Sequence, residues 1–276
     1  MEPRFAERSR WQLTLEEREA YLEAGFFVRP AVFTPAEIET LQDAAERAVG
    51  VAQMALAQFQ TDYCIDGHRY VETAGTTIQL EHEPGSKTLR VLEPFHHLDP
   101  RFAALIDAPH FVEPVRALLG CAEVALFTDK LNLKRPREGS RFCWHQDSPY
   151  WVFACSHVDR LVNVMLSLDA ASASNGCLRV VPGSHRRGIL PGLSGHETLA
   201  PLFTDPRSFD EASQVPIEVP AGSLLFFSPH AVHGSEPNLS SAPRRALLFT
   251  YQPAGHPMFK RPGERRAIVS GEASPR

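Results

Sequence analysis

The chain of 276 residues is 43% apolar and 22% charged, the balance of a globular protein with a real core and not of a disordered one. Its net charge of −5 offers no attraction to nucleic acid or to anionic membrane surfaces, so neither is an expected partner. No run approaches the roughly 20 apolar residues of a membrane span, and Met1-Glu2-Pro3-Arg4 opens no signal-peptide segment, so the expected location is cytoplasmic.

Thr14-Leu15-Glu16-Glu17 forms a capping box that starts a short helix carrying Tyr21 and Leu22 toward Gly25. Phe26-Phe27-Val28 reads as a strand stopped by Pro30. A second helix starts at Thr34, with Pro35 at its first position and Glu37 at its third. Ile38, Leu41, Ala45 and Ala48 keep the helical period, and Gly50 supplies a stop. This helix–strand–helix unit is expected to pack on the outside of a larger body. From Ala52 to about Pro100 the periodicity is poor, broken by Gly67, Gly75, Pro84-Gly85 and Pro94. Loops and short strands are expected there, of the kind that walls a substrate pocket. Phe102 to Leu119 returns to helical spacing, interrupted near Pro109.

Beyond Cys121 the chain turns to strands. Val124–Leu133, Arg160–Leu168, Cys177–Val181, Val215–Val219, Ser223–Phe227 and Ala246–Tyr251 are strand-like runs separated by Gly/Pro turns. With no helices between them, they predict an antiparallel double-sheet jelly roll. The fold class is mainly β with flanking helices, in one domain over 1–276. The helical flank covers about 1–120, the β core about 121–256, and a mobile tail about 262–276. Cys64, Cys121, Cys143, Cys155 and Cys177 are odd in number and show no CxxC spacing, which predicts reduced thiols. Cys143 is read as a small buried hydrophobe.

Trp144-His145-Gln146-Asp147 places an imidazole and a carboxylate two residues apart, on one side of a strand. One distant imidazole, from His230-Ala231-Val232-His233-Gly234-Ser235, would complete the two-His, one-carboxylate set of a non-haem Fe(II) centre with open positions. His230 and His233 are an odd number apart, so they would face opposite ways. His185 follows Pro-Gly-Ser and reads as a turn residue; His96 and His97 read as structural. A guanidinium from Arg244 or Arg245, on opposite faces of a strand, would suit an anionic co-substrate. Lys130, Asn132 and Lys134 share one strand face, and Asn163, Met165 and Ser167 share another. Both rows are read as facing inward.

These fragments, with Asn175-Gly176-Cys177-Leu178, Pro182-Gly183-Ser184-His185, Pro220–Phe227 and His233-Gly234-Ser235-Glu236-Pro237-Asn238, resemble the iron- and 2-oxoglutarate-dependent oxygenases of the phytanoyl-CoA dioxygenase family. The likeness is close from about Leu126 to Tyr251 and looser over the N-terminal helices. It implies a double-stranded β-helix (jelly roll) of the 2-oxoglutarate oxygenase type. It selects His233, directly before Gly-Ser, as the second imidazole, so that His145, Asp147 and His233 are the implied metal ligands. Arg244 and Ser235 would hold the far carboxylate of 2-oxoglutarate. The implied chemistry uses Fe(II), O₂ and 2-oxoglutarate, which is decarboxylated to succinate while a substrate C–H bond is oxidised. Relatives that chlorinate carry a small residue in place of the carboxylate, so Asp147 implies hydroxylation.

The ectoine hydroxylase branch offers a local parallel. Asn132, Phe142 and Asn163 resemble its residues around 2-oxoglutarate, and Trp144 and Trp151 its two tryptophans. The chain departs from that branch on the substrate side. Lys130 stands for an Arg, Thr128 for a Gln, and Ser148-Pro149-Tyr150 for Phe-Glu-Thr, so ectoine itself is not the expected substrate. Thr128, Lys130, Lys134, Tyr150 and Trp151 are the candidate substrate residues, with Phe153 at the mouth, and the substrate class is a small metabolite. Two other readings compete: a cupin-like metal-dependent dioxygenase or isomerase that does not use 2-oxoglutarate, and a non-catalytic metal-binding jelly roll. The first has no need of Arg244 and Ser235, and the second predicts the loss of a ligand.

Overall fold

The structure is a computed structural model and describes residues 10–58, 63–73, 75–261 and 263–264. Nearly all of the tail expected at 262–276 therefore lies outside the described residues. Helix α1 (Leu15–Ala24) is capped as expected. Thr14 Oγ1 accepts from the Glu17 amide while the Glu17 carboxylate accepts from the Thr14 amide. Gly25, at φ 88°, closes it in the left-handed region that favours glycine. Thr34 and Glu37 make the same exchange at the start of α2 (Pro35–Gln58). The expected stop at Gly50 does not occur. One interior glycine costs a helix only about 1 kcal/mol, and Ala52 continues the buried face of Ala45, Ala48 and Val49.

Two short helices, α3 (Pro100–Ile106) and α4 (Pro109–Leu119), occupy the stretch read as one interrupted helix. The strands are β1 (Phe26–Arg29), β2 (Tyr63–Ile65), β3 (His68–Glu72), β4 (Thr77–Leu80), β5 (Leu89–Glu93), β6 (Val124–Lys134), β7 (Phe142–His145), β8 (Val162–Ser167), β9 (Arg179–Val180), β10 (Val215–Pro216), β11 (Leu224–Phe227), β12 (His233–Ser235) and β13 (Arg244–Pro253). A nine-stranded sheet runs β1-β11-β8-β13-β6-β5-β4-β3-β2, and a four-stranded sheet runs β10-β9-β12-β7. Their pairings are antiparallel, as in β13 against β6 and β12 against β7. This is the double-sheet jelly roll.

The first 120 residues differ from the reading of an outer helical flank. β1 pairs with β11 in the major sheet, and β2 to β5 extend its other end. A short helix, α5 (Ser148–Trp151), also lies between strands where none was expected. Helices cover the outer face of the major sheet. Ile38, Leu41, Ala45, Phe102, Phe111 and Val115 pack there with Leu131, Leu133, Val164, Leu166, Leu247 and Phe249. Met165, Leu225, Phe227 and Leu248 pack from the inner face against Val180 and Ile217 of the minor-sheet side. β8 and β13 are thus covered on both faces, which explains the unbroken apolar runs Val164–Leu166 and Ala246–Phe249 within them. Among the described residues no helix is long and apolar enough to cross a membrane.

Candidate metal centre

The two imidazoles are direct register partners, His145 at the end of β7 and His233 at the start of β12. Their ring centroids lie 4.2 Å apart. Each Nδ1 lies within hydrogen-bond distance of the carbonyl two residues before it, Cys143 O at 2.8 Å and Ala231 O at 2.9 Å. A carbonyl only accepts, so Nδ1 carries the proton and each Nε2 keeps its lone pair for a metal. Asp147 completes the group: Oδ1 is 3.9 Å from His145 Nε2, and Oδ2 is 3.8 Å from His233 Nε2. One ligand atom of each residue lies within 4.8 Å of the others.

Asp147 reaches this point by a different route from strand alternation. β7 ends at His145, and Asp147 has helical backbone angles (φ −76°, ψ −30°) as the cap of α5. The amides of Asp147 and Ser148 both donate to the Pro229 carbonyl, at 2.9 and 3.1 Å. That pair of bonds turns the chain back toward β12. Asn163 Nδ2 donates to Asp147 Oδ2 at 2.7 Å, and Thr250 Oγ1 donates to Asn163 Oδ1 at 2.7 Å.

The electrostatics fit the donor set. Burial, then the neighbouring His233, pushes His145 down to about 3, so its ring is neutral at pH 7. Burial alone would raise Asp147, but His233, the Lys130 ammonium and the Asn163 donation outweigh it and hold the carboxylate ionised. Two imidazoles and one carboxylate form a donor set that suits a ferrous ion.

A cavity of about 480 Å³ opens on this group, and Arg244, Ser235, Asn132 and Phe142 line it. Arg244 Nε and Nη2 donate to the Gly176 carbonyl at 3.1 and 2.8 Å. Burial brings its guanidinium down to about 10, which still leaves it cationic. Gly176, at φ +74°, is required there: a Cβ would sit 2.3 Å from the Glu236 carbonyl oxygen. Ser235 Oγ is buried with no hydrogen-bond partner among the described residues. A buried hydroxyl without a partner and a buried guanidinium lining one cavity are what a bound carboxylate would satisfy. Arg245 points the other way, to Asp169 and Glu46.

Several expectations change. Asn163 does not line the cavity but holds the Asp147 carboxylate. Thr128 does not line the cavity; its Oγ1 donates to Glu93 Oε1 at 2.9 Å. Lys134 is buried, donates to the Glu236 carbonyl and lies 5.5 Å from the Phe142 ring, away from the cavity. Phe153 is 93% exposed and walls nothing, because α5 ends before it. Cys143 is half-buried and lines the cavity, since β7 carries it beside His145. Lys130, Tyr150 and Trp151 do line it. His230 pairs with Asp159 at 2.8 Å, His96 with Asp129 at 2.7 Å, and His185 Nε2 lies 3.2 Å from the Leu22 carbonyl, all outside the site.

The stretch expected to wall a pocket does so, through residues that the sequence does not single out. His68, Tyr70, Gln79, His82 and Glu93, from β3 to β5 and the turn after β4, line the cavity. The signal was there in Thr77-Ile78-Gln79-Leu80, whose odd positions face the cavity while Ile78 and Leu80 join the core.

Comparison with known proteins agrees with this arrangement. The family model described as phytanoyl-CoA dioxygenase matches residues 21–246. L-proline trans-4-hydroxylase of Streptomyces griseoviridis is 32% identical over 190 residues, 61% of this chain and 69% of that protein. Ectoine dioxygenase of Bordetella parapertussis is 30% identical over 187 residues, 61% of this chain and 59% of that protein. The chain thus spans about six to seven tenths of these curated relatives. Among solved structures, apo EctD from S. alaskensis matches with a TM-score of 0.65 at 25% identity, covering 92% of this chain and 82% of that one.

Proposed function

The chain belongs to the phytanoyl-CoA dioxygenase family, and with it to the iron- and 2-oxoglutarate-dependent dioxygenases; from that premise we propose that it hydroxylates an unactivated C–H bond of a small-molecule substrate, with decarboxylation of 2-oxoglutarate to succinate. The observation that carries this reading is the convergence of His145, Asp147 and His233 on one point of a cavity that also holds Arg244 and Ser235. A ferrous ion held there supplies the activation of O₂ and of the 2-oxo acid.

The protein's part is binding, orientation and exclusion of water. His145 and His233 present fixed Nε2 lone pairs because backbone carbonyls hold their Nδ1 protons. Asp147 stays anionic and is aimed by Asn163, itself held by Thr250. Arg244, locked against Gly176, offers its remaining donors to the far carboxylate of 2-oxoglutarate, and Ser235 adds a hydroxyl. Asn132 and Phe142 line the same cavity as Arg244 and would bound the co-substrate. A metal-dependent jelly roll that does without 2-oxoglutarate has no use for a buried Arg and an unsatisfied Ser at this place.

The test is optical. Anaerobic protein mixed with Fe(II) and 2-oxoglutarate is expected to develop the weak visible charge-transfer band of a 2-oxo acid on ferrous iron. No band in the native chain, or an undiminished one in Asp147→Ala, overturns the reading.

A further inference from the structure

Resting on the oxygenase reading above, we infer that the substrate is a zwitterion of amino-acid size, its anionic end meeting the Lys130 ammonium and its cationic end the Glu93 carboxylate. Most charged side chains of the cavity already have partners or belong to the metal and co-substrate end. Arg90 pairs with Glu81 at 3.5 Å, donates to Ser140 Oγ and to the Arg141 carbonyl, and stacks over Phe142. Arg244 and Asp147 belong to the co-substrate and metal end. Arg141 and Lys260 are exposed. His68 and His82 are held neutral, His82 at about 4, by burial and then by Arg90. Lys130 and Glu93 remain.

These two face the cavity from adjacent strands. β5 and β6 pair through Val91↔Asn132 and Leu92↔Leu131, and the same register carried one step further sets Glu93 beside Lys130. Among the described residues no ion pair joins them, and the Lys130 ammonium has no hydrogen-bond acceptor. It lies 5.5 Å from the Trp151 ring. Burial would favour its neutral form, yet the Glu93 and Asp147 carboxylates keep it protonated. Glu93 is fixed from behind by the Thr128 hydroxyl. Two opposite charges, each positioned but not closed on the other, sit at the edge of a low-dielectric cavity. A ligand bearing both charges would satisfy each of them; one bearing a single charge would leave the other desolvated and unpaired. The other lining groups, Tyr70, Gln79 and the two neutral imidazoles, can hydrogen-bond but select no charge.

The experiment uses the anaerobic protein with Fe(II) and 2-oxoglutarate, and reads the shift of the visible band on adding a substrate probe. The probes are the standard amino acids, each with its methyl ester, N-acetyl and N-acetyl methyl ester forms. At least one zwitterion is expected to shift the band, and neutralising either end should weaken binding about tenfold or more. In Lys130→Met the penalty for esterifying the carboxylate should vanish while that for acetylating the amine remains; Glu93→Gln should do the reverse. Lys130→Arg should keep the native pattern, which separates charge reading from a folding defect. The proposal is overturned if no zwitterion shifts the band, if singly charged probes bind as tightly, or if the variants keep both penalties. Absence of the band itself sinks the oxygenase reading; a band present but unresponsive sinks only this one.

Discussion

Asn163 Nδ2 and Asp147 Oδ2 lie 2.7 Å apart, and this single contact ties the major sheet to the carboxylate that follows the minor sheet's β7. Asn163 is fully buried in β8, its carbonyl oxygen taken by Thr250 of the adjacent β13. Its amide can therefore point only at Asp147. The pair sets the carboxylate's rotation from the rigid side of the barrel.

Removing that support should weaken metal binding without abolishing it. Asn163→Ala is expected to lower Mn(II) or Fe(II) affinity by about 10- to 100-fold, the usual cost of losing a group that orients a ligand. Thr250→Val should give a smaller loss, because Asn163 keeps its backbone position. Calorimetric metal titration checks both, and native-like affinity in Asn163→Ala would show that Asp147 orients itself.

Gly176 and Arg244 form a second coupled pair. The glycine carbonyl accepts twice from the guanidinium, and its φ of +74° and its contact with Glu236 leave no space for a methyl group. Gly176→Ala should cost at least about 1–2 kcal/mol of stability from backbone strain alone. It should also weaken 2-oxoglutarate binding by displacing Arg244. A melt and a co-substrate titration on the same variant test the two effects together.

The motifs were legible in one dimension because the jelly roll repeats them in order: His145, the Asn175-Gly176 turn, His233-Gly-Ser and Arg244 each depend on local backbone geometry. Asp147 shows the limit. Strand alternation gives the right side for the wrong reason, since the chain leaves the strand after His145 and the Pro229 carbonyl sets the turn. Which residues of β3 to β5 face the cavity is hidden for another reason. These strands are short and cut by glycines and prolines, so each carries too few residues to show a period, and only pairing with β6 aligns them. Likewise Lys130 and Lys134 read as equivalent on one strand face, yet only Lys130 lines the cavity.

His110 carries an acid liability. It packs between Trp11 and Phe33, its Nε2 is buried without a hydrogen-bond partner, and burial holds it down at about 4. In the unfolded chain it titrates near 6.5. Between those values the unfolded state binds a proton that the folded state does not, so stability falls as the pH drops from 6.5 toward 4. By pH 5 the loss is about 1–2 kcal/mol from this group. His110→Phe should show a correspondingly smaller fall between pH 7 and 5 in denaturant titrations; equal falls would mean the imidazole protonates freely in the fold.

Lys134 should give the same sign in a higher pH window. Its ammonium is 1% exposed, and Arg244 stands directly across the strand pair. Burial, then Arg244 and Arg90, bring it down to about 6, against about 10.4 in an unfolded chain. Between these limits the unfolded state again holds the extra proton, so this group makes the native fold more stable as the pH rises, by about 1.4 kcal/mol per unit. Lys134→Met removes that slope and also leaves the Glu236 carbonyl without its donor, but the second effect does not vary with pH. The variant's advantage over the native chain should therefore shrink steadily from pH 7 to pH 10. A difference independent of pH would mean that Lys134 stays charged in the fold, and that the site tolerates two buried cations facing each other without a bound anion.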